Sequence, residues 1–292
     1  MAGDGARRAA VLGSPVAHSL SPVLHGAAYE ALGLTGWTYE HIECDDVALP
    51  GLVRGLGTEW AGLSVTMPGK RAALEVAATA SDRARRLGVA NTLVRARAGW
   101  AADCTDVDGV AGALRGAGVR SVPGIAAGTV DAVLLGAGGT ASAAVGALYE
   151  LGNEAVTVVV RDPARAADTL DVARSYGIAR RAVRFDEVRD EDLARAKALI
   201  NTTPAGAVDE ALAARLVDAL PAWAVVLDAV YHPWPTPLAA AAQQRGLAVA
   251  TGLDMLLHQA FGQVEQFTGR PAPRAAMHQA LVRATGFEVR SP

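Results

Sequence analysis

Two residues far apart in the chain have the types needed to move a proton. Lys70 opens a helical stretch after Val65-Thr66-Met67-Pro68-Gly69, and Asp106 opens another in Thr105-Asp106-Val107-Asp108. A cation in the first turn of a helix opposes the macrodipole, so local stability does not account for Lys70, whereas an anion or a reacting oxygen beside it would. A solvated surface lysine is the plain alternative for Lys70, and helix capping is the plain alternative for Asp106. Taken together, an ammonium and a carboxylate have the right parts to polarise a carbonyl oxygen and exchange a proton with it.

A second concentration of polar groups runs from Gly13 to His25, reading G-S-P-V-A-H-S-L-S-P-V-L-H. Ser21 reads as an N-cap and Pro22 as the first helical residue. Capping calls on neither Ser19 nor His18, and surplus hydroxyls beside a helix N-terminus suit a small polyol or a carboxylate. Asn91, in G-V-A-N-T-L, is an amide among apolar neighbours and needs partners from backbone or ligand. Gln259 follows Gly252-Leu253-Asp254-Met255-Leu256 on a helix, where an outward polar face explains it equally well.

The elements that must hold these residues are legible from apolar runs and turn signals. Strands are expected at Ala9 to Leu12, Trp37 to Glu43 and Gly62 to Thr66, with a helix from Pro22 to about Leu32 and a hairpin pairing Val89 to Arg95 with Trp100 to Ala102. The grain then changes. Asp131 to Leu135 is a short, continuously apolar strand, followed by G-A-G-G-T-A at Gly136 to Ala141, a helix to about Leu151 and a strand at Val156 to Val160. That is the order of a dinucleotide-binding βαβ unit: Gly136 for the tight turn, Gly138 for close approach of a pyrophosphate, Ala141 as the small packing position. Further strands at Ala198 to Asn201, Val225 to Ala229 and Ala248 to Ala250 extend a parallel pattern, helices follow Gly252, and a Pro/Gly-containing linker is expected around 122–128.

Enzymes that use NAD place an acid about 20 residues after the glycines to hold the ribose 2′-hydroxyl. Here Val160 occupies that place, followed by Arg161 and, one turn further, Arg165. Two guanidinium groups could bracket a 2′-phosphate, which favours NADP over NAD. Asp162, before Pro163, would repel a phosphate unless its side chain is turned to the backbone as an N-cap.

Composition excludes other classes. At 292 residues the chain is long enough for two domains. Its net charge of −3 and 20% charged content lack the basic excess that nucleic acid or an anionic membrane calls for. No apolar stretch approaches bilayer length, and no secretory leader is read at the N-terminus. Cys44 and Cys104 have no metal-ligand spacing and fit a reducing cytoplasm. The histidines have no ligand spacing either, so no metal is expected.

Read in order, S-L-S-P, V-T-M-P-G-K, A-N-T-L with T-D-V-D-G, G-A-G-G-T-A, and D-A-V-Y-H-P with G-L-D-M-L-L-H-Q resemble the shikimate dehydrogenase family over nearly the whole chain. The resemblance implies an α/β protein. A substrate-binding domain (1–105 with 251–292) and a Rossmann-type NADP-binding domain (106–250) would flank a cleft, in a monomer or homodimer. It implies Lys70 and Asp106 as the catalytic pair, Ser19 and Ser21 at a substrate carboxylate, Thr66, Asn91 and Gln259 at its hydroxyls, and Tyr231 closing over the carboxylate side. Gly136, Ala137, Gly138, Gly139, Thr140, Ala141, Arg161, Arg165 and Gly252 would hold the cofactor. The implied reaction is reduction of 3-dehydroshikimate to shikimate, with quinate or an aminated analogue as alternative substrates. A nucleotide-sensing binding protein with a dead site is the alternative of another class. Departures from the family pattern are Val160 and Asp162 for Asn and Thr, Cys104 for Asn, and Gly26 for Asn.

Overall fold

A computed structural model of the chain describes residues 5–119 and 131–291, so the expected linker at 122–128 lies outside the described residues. Residues up to Asp106 and from Leu256 onward form one unit, and Val107–Met255 the other.

The first unit is built on β1 (Arg7–Gly13), α1 (Ser21–Ala31), β2 (Trp37–Glu43), α2 (Leu49–Gly55), β3 (Trp60–Val65), α3 (Lys70–Val76), β4 (Thr79–Ala80), α4 (Asp82–Leu87), β5 (Thr92–Ala96) and β6 (Gly99–Asp103). Its sheet has the order β2-β1-β3-β5-β6-β4. The strands β2, β1 and β3 are parallel, and β5 and β6 return antiparallel. Burial of Leu12, Leu49, Val53, Trp60, Leu63, Leu93 and Trp100 between sheet and helices makes its core, each large side chain contributing about 1.5–3 kcal/mol on removal from water. The hairpin is where the sequence places it, although Val89 to Asn91 precede the first strand, which begins at Thr92. That offset leaves the Asn91 side chain outside the regular alternation of the sheet.

The second unit runs from α5 (Asp106–Gly116), whose first residue still belongs to the first unit, through β7 (Asp131–Leu135), α6 (Gly139–Glu150), β8 (Ala155–Val160), α7 (Ala167–Ser175), β9 (Ala179–Arg184), α8 (Asp190–Leu193), β10 (Ala196–Asn201), α9 (Glu210–Asp218), β11 (Val225–Asp228), α10 (Pro237–Gln244) and β12 (Ala248–Thr251). All strands are parallel, in the order β12-β11-β10-β7-β8-β9. This is the doubly wound arrangement, in which ligands bind beyond the carboxyl ends of the strands where the order reverses, here between β7 and β10. Burial on both faces, with Val133, Leu135, Leu199 and Val226 on one and the alternating Leu134, Ile200 and Leu227 on the other, explains the continuously apolar strands. The strand β9 was not legible because it is the edge strand, with the sequence ARRAVR and no fully buried residue. The chain returns to the first unit within α11 (Gly252–Thr268) and ends in α12 (Arg274–Thr285), which packs on α1. No described helix is long and apolar enough to cross a membrane.

Candidate active site

In the first unit the serine loop and Thr66 leave the same edge of the sheet, at the carboxyl ends of β1 and β3. The Thr66 N–H donates to Leu12 O at 2.8 Å, and Ser14 N–H donates to Met67 O at 3.1 Å. The carboxylate of Glu43 accepts from Ser14 Oγ at 2.7 Å and from Val16 N–H at 3.1 Å, pinning the loop to β2. Ser21 is not the N-cap. It is the first helical residue, after Leu20, and makes no capping bond. Ser19 performs the local service instead, its Oγ accepting from Ser21 N–H at 3.3 Å, because Pro22 at the second helical position shifts the helix start by one residue. The two hydroxyls lie 3.2 Å apart, Ser19 half-buried and Ser21 buried, while His18 is exposed.

Lys70 and Asp106 meet. Lys70 Nζ donates to Asp106 Oδ2, with the side chains only 16% and 7% exposed, which removes the reading of Lys70 as a solvated surface residue. The other oxygen, Asp106 Oδ1, accepts from Asn91 Nδ2 at 2.8 Å. Burial pushes the Lys70 ammonium toward deprotonation, but the Asp106 carboxylate outweighs it, with Cys104 adding to the effect, and the pKa lies above that of an ordinary lysine. Cys104 is itself buried, and its thiol is pushed up to about 12 by burial first and Asp106 second, so it does not serve as a nucleophile.

Asn91 is buried and saturated by protein. Its Oδ1 accepts from Thr105 N–H at 2.8 Å and Thr92 Oγ1 at 2.7 Å, and its Nδ2 also reaches Thr105 Oγ1 at 3.0 Å and Gln259 Oε1 at 3.3 Å. Gln259 does not lie on an outward polar face: it is 6% exposed, between Asn91 and its own helix, where it donates to Leu256 O. Lys70, Asp106, Asn91 and Gln259 are thus brought together by α3, α5, α11 and the residue preceding β5. Gln263, one turn beyond Gln259, is buried against the same group and was not singled out from sequence. The only signal for it was its four-residue spacing from Gln259 on one helix face.

The second unit holds the glycine turn. Gly136 has φ +100°, and a Cβ there would lie 2.7 Å from Thr202 Oγ1, at the end of the neighbouring strand. Glycine is required on both counts. Gly138 caps α6 with nothing within 4 Å of a Cβ position, and Gly139, Thr140 and Ala141 form the first turn of that helix, Ala137 being half-exposed before it. This open turn, with free N–H groups at the helix start, fits a pyrophosphate. At the end of β8, Val160 is buried, while Arg161 and Arg165 are exposed, and among the described residues neither guanidinium has a side-chain partner. Asp162 is turned away to cap the following turn, accepting from Ala164 N–H at 3.0 Å, so the arginines rather than the carboxylate are free to meet a 2′-phosphate. These residues fit NADP. Tyr231 follows β11, half-buried, and burial pushes its phenol up, keeping it a neutral donor. Gly252 is buried at the start of α11, where a Cβ would lie 2.3 Å from Ala229 O and 3.2 Å from the Tyr231 ring, so it sets the approach of Tyr231 rather than only a cofactor contact.

Gly136→Ala is expected to cost about 1–3 kcal/mol of stability through strain at positive φ, and to weaken NADP binding by displacing Thr202. Thermal melting with and without NADP checks both.

The sequence profile described as the shikimate dehydrogenase substrate binding domain matches residues 11–93, and that of the shikimate 5′-dehydrogenase C-terminal domain matches 252–282. A shikimate dehydrogenase (NADP(+)) of Methylobacterium radiotolerans is 40% identical, over 91% of this chain and 93% of its own length. The crystal structure of Mycobacterium tuberculosis shikimate dehydrogenase is 52% identical, with a TM-score of 0.83 over 95% of this chain and 99% of that one. That of shikimate 5-dehydrogenase from Thermus thermophilus in complex with NADP(H) and shikimate is 35% identical, with a TM-score of 0.79 over 95% and 99%.

Proposed function

Because this chain belongs to the shikimate dehydrogenase family, we propose that it catalyses the reversible, NADPH-dependent reduction of 3-dehydroshikimate to shikimate, with the first unit as substrate domain and the second as NADP domain. The observation that carries the reading is the buried Lys70–Asp106 pair, held by Asn91. Both free thiols suit a reducing cytoplasm, where we place the enzyme.

NADPH held by the second unit would supply the hydride that reduces the C3 carbonyl carbon. Lys70 donates its N–H to the carbonyl oxygen and delivers the proton as negative charge develops there, and Asp106 neutralises and orients the ammonium. The raised pKa of Lys70 supports this assignment, since the group stays a full donor across the neutral range. Ser19 and Ser21 bind the substrate carboxylate, joined by Tyr231. Thr66, Asn91 and Gln259 bind the hydroxyls, Asn91 and Gln259 exchanging one of their present protein partners for the ligand. Gly136, Ala137, Gly138, Gly139, Thr140 and Ala141 hold the pyrophosphate, Arg161 and Arg165 hold the 2′-phosphate, and Gly252 keeps the Tyr231 side open.

The test is formation of reduced nicotinamide from shikimate, followed by absorbance with NADP and NAD and with quinate in place of shikimate. Turnover of shikimate with NADP is expected, and its absence overturns the reading. The pH dependence carries a sign. A donor whose pKa is raised loses its proton only above the ordinary lysine value of about 10.4, so in the reduction direction no activity is lost through Lys70 below that pH. A fall traced to Lys70 on the acid side of that value contradicts its role as donor.

A further inference from the structure

The Lys70–Asp106–Asn91 group is reached from behind by a buried run of hydrogen bonds that the reaction chemistry does not call on. Tyr39 OH donates to Ser64 Oγ at 2.7 Å, and Ser64 Oγ donates to Gln263 Oε1 at 2.8 Å. On its other side Gln263 Nε2 donates to Asn91 O and to Thr92 Oγ1, both at 3.1 Å. Thr92 Oγ1 in turn donates to Asn91 Oδ1 at 2.7 Å, and Asn91 Nδ2 donates to Asp106 Oδ1. Each hydroxyl has one proton, so the donors all point one way, from Tyr39 toward Asp106. Ser21 of the serine loop borders Tyr39 at the far end.

Gln263 is the link that makes the run continuous. A carboxamide alone presents an acceptor to Ser64 and two donor protons to the main chain and hydroxyl of the 91–92 segment. The residue is 1% exposed, so it has no access to a ligand and acts through others. His25 packs beside it, fully buried, its Nε2 3.4 Å from Gln263 Oε1, its ring stacked on Tyr39 at 4.0 Å and on Phe267 at 5.5 Å. Burial holds the imidazole down at about 3 against the weaker pull of Gln263, so no charge enters the network at neutral pH. Such a satisfied buried network fixes one geometry of its members, and a break in it leaves polar atoms unpaired.

We propose that Gln263 is a positioning residue for the reaction, holding Asn91 by its main-chain carbonyl and, through Thr92, by its side-chain carbonyl, so that Asn91 presents its amide to Asp106 and thereby sets Asp106 against Lys70. The inference rests on the reading that Lys70 and Asp106 carry the chemistry.

The test is Gln263→Met, which keeps length and shape and removes every hydrogen bond, compared with Gln266→Met. Gln266 anchors the same helix by donating to Asp103 at 2.7 Å, outside the network. Both variants are expected to melt below the parent. Only Gln263→Met is expected to lose kcat, roughly ten- to hundredfold as for a small misplacement of catalytic groups, with the KM for NADP within about twofold. Independently of activity, nitrogen–proton correlation spectra should show the Asn91 side-chain amide as slowly exchanging in the parent and in Gln266→Met and as exchanging fast in Gln263→Met, assigned by its absence in Asn91→Asp. Equal loss of kcat in both variants, or in neither, or an unchanged Asn91 amide in Gln263→Met, overturns the proposal. A parent that does not turn over shikimate overturns the functional reading instead, and the amide spectra then decide the placement of Asn91 by themselves.

Discussion

Lys70→Ala is expected to lower kcat for 3-dehydroshikimate reduction by roughly 10²- to 10⁴-fold, the range a positioned proton donor contributes, while the KM for NADPH stays near that of the parent. The size follows from what is removed. In the proposed mechanism the ammonium is the donor to the reacting oxygen, and Asn91, an amide hydrogen-bonded to Asp106 and Thr105, has no acid proton to give in its place. The substitution also strands Asp106, 7% exposed, with Asn91 as its remaining side-chain partner. Breaking one side of a largely buried pair costs about 3 kcal/mol, so a lowered melting temperature accompanies the loss. Steady-state kinetics at a temperature well below the transition separates the two effects. Near-parent turnover by a folded Lys70→Ala protein ends the proposed mechanism.

Replacing Arg161 and Arg165 together by alanine is expected to raise the KM for NADP roughly a hundredfold while leaving that for NAD within about twofold. Hydrogen bonds to charged groups are worth about 1.5–3 kcal/mol each, and every 1.4 kcal/mol is about tenfold in affinity. Because both side chains are exposed and screened, the lower end applies. Exposure also means that nothing in the fold depends on them, so the melting temperature in the absence of cofactor should not move. The Asp162 cap sharpens the prediction: its carboxylate is engaged at Ala164 N–H, while neither guanidinium has a side-chain partner among the described residues. Kinetics with the two nicotinamide cofactors checks it, and an equal loss for both would place the arginines at some group common to NAD and NADP.

Much of this was readable in the chain because the features are local. A glycine turn between an apolar strand and a helix is set by the backbone freedom of a few consecutive residues, and Gly136 at φ +100° behaves as its sequence context requires. The cap at Asp162 follows from its position before Pro163 for the same reason. The helix begins at Ser21 rather than Pro22 because Leu20, which offers no capping side chain, occupies the N-cap position, and only the three-dimensional path of the loop decides that.

By itself the sequence determined the residue types, the two α/β patterns and the order of the motifs, since hydrophobic period and turn chemistry act over a handful of neighbours. The tertiary structure alone decided that Lys70 and Asp106, 36 positions apart, share one buried contact, that Gln259 faces inward, and that Gln263 reaches Asn91 across 172 positions. A helix surface shows only which residues share a face, and the direction of that face is set by what packs against it. Hydrogen-bond partners brought together by packing carry no signature in either segment alone, because each short stretch is equally compatible with water as the other half of the bond.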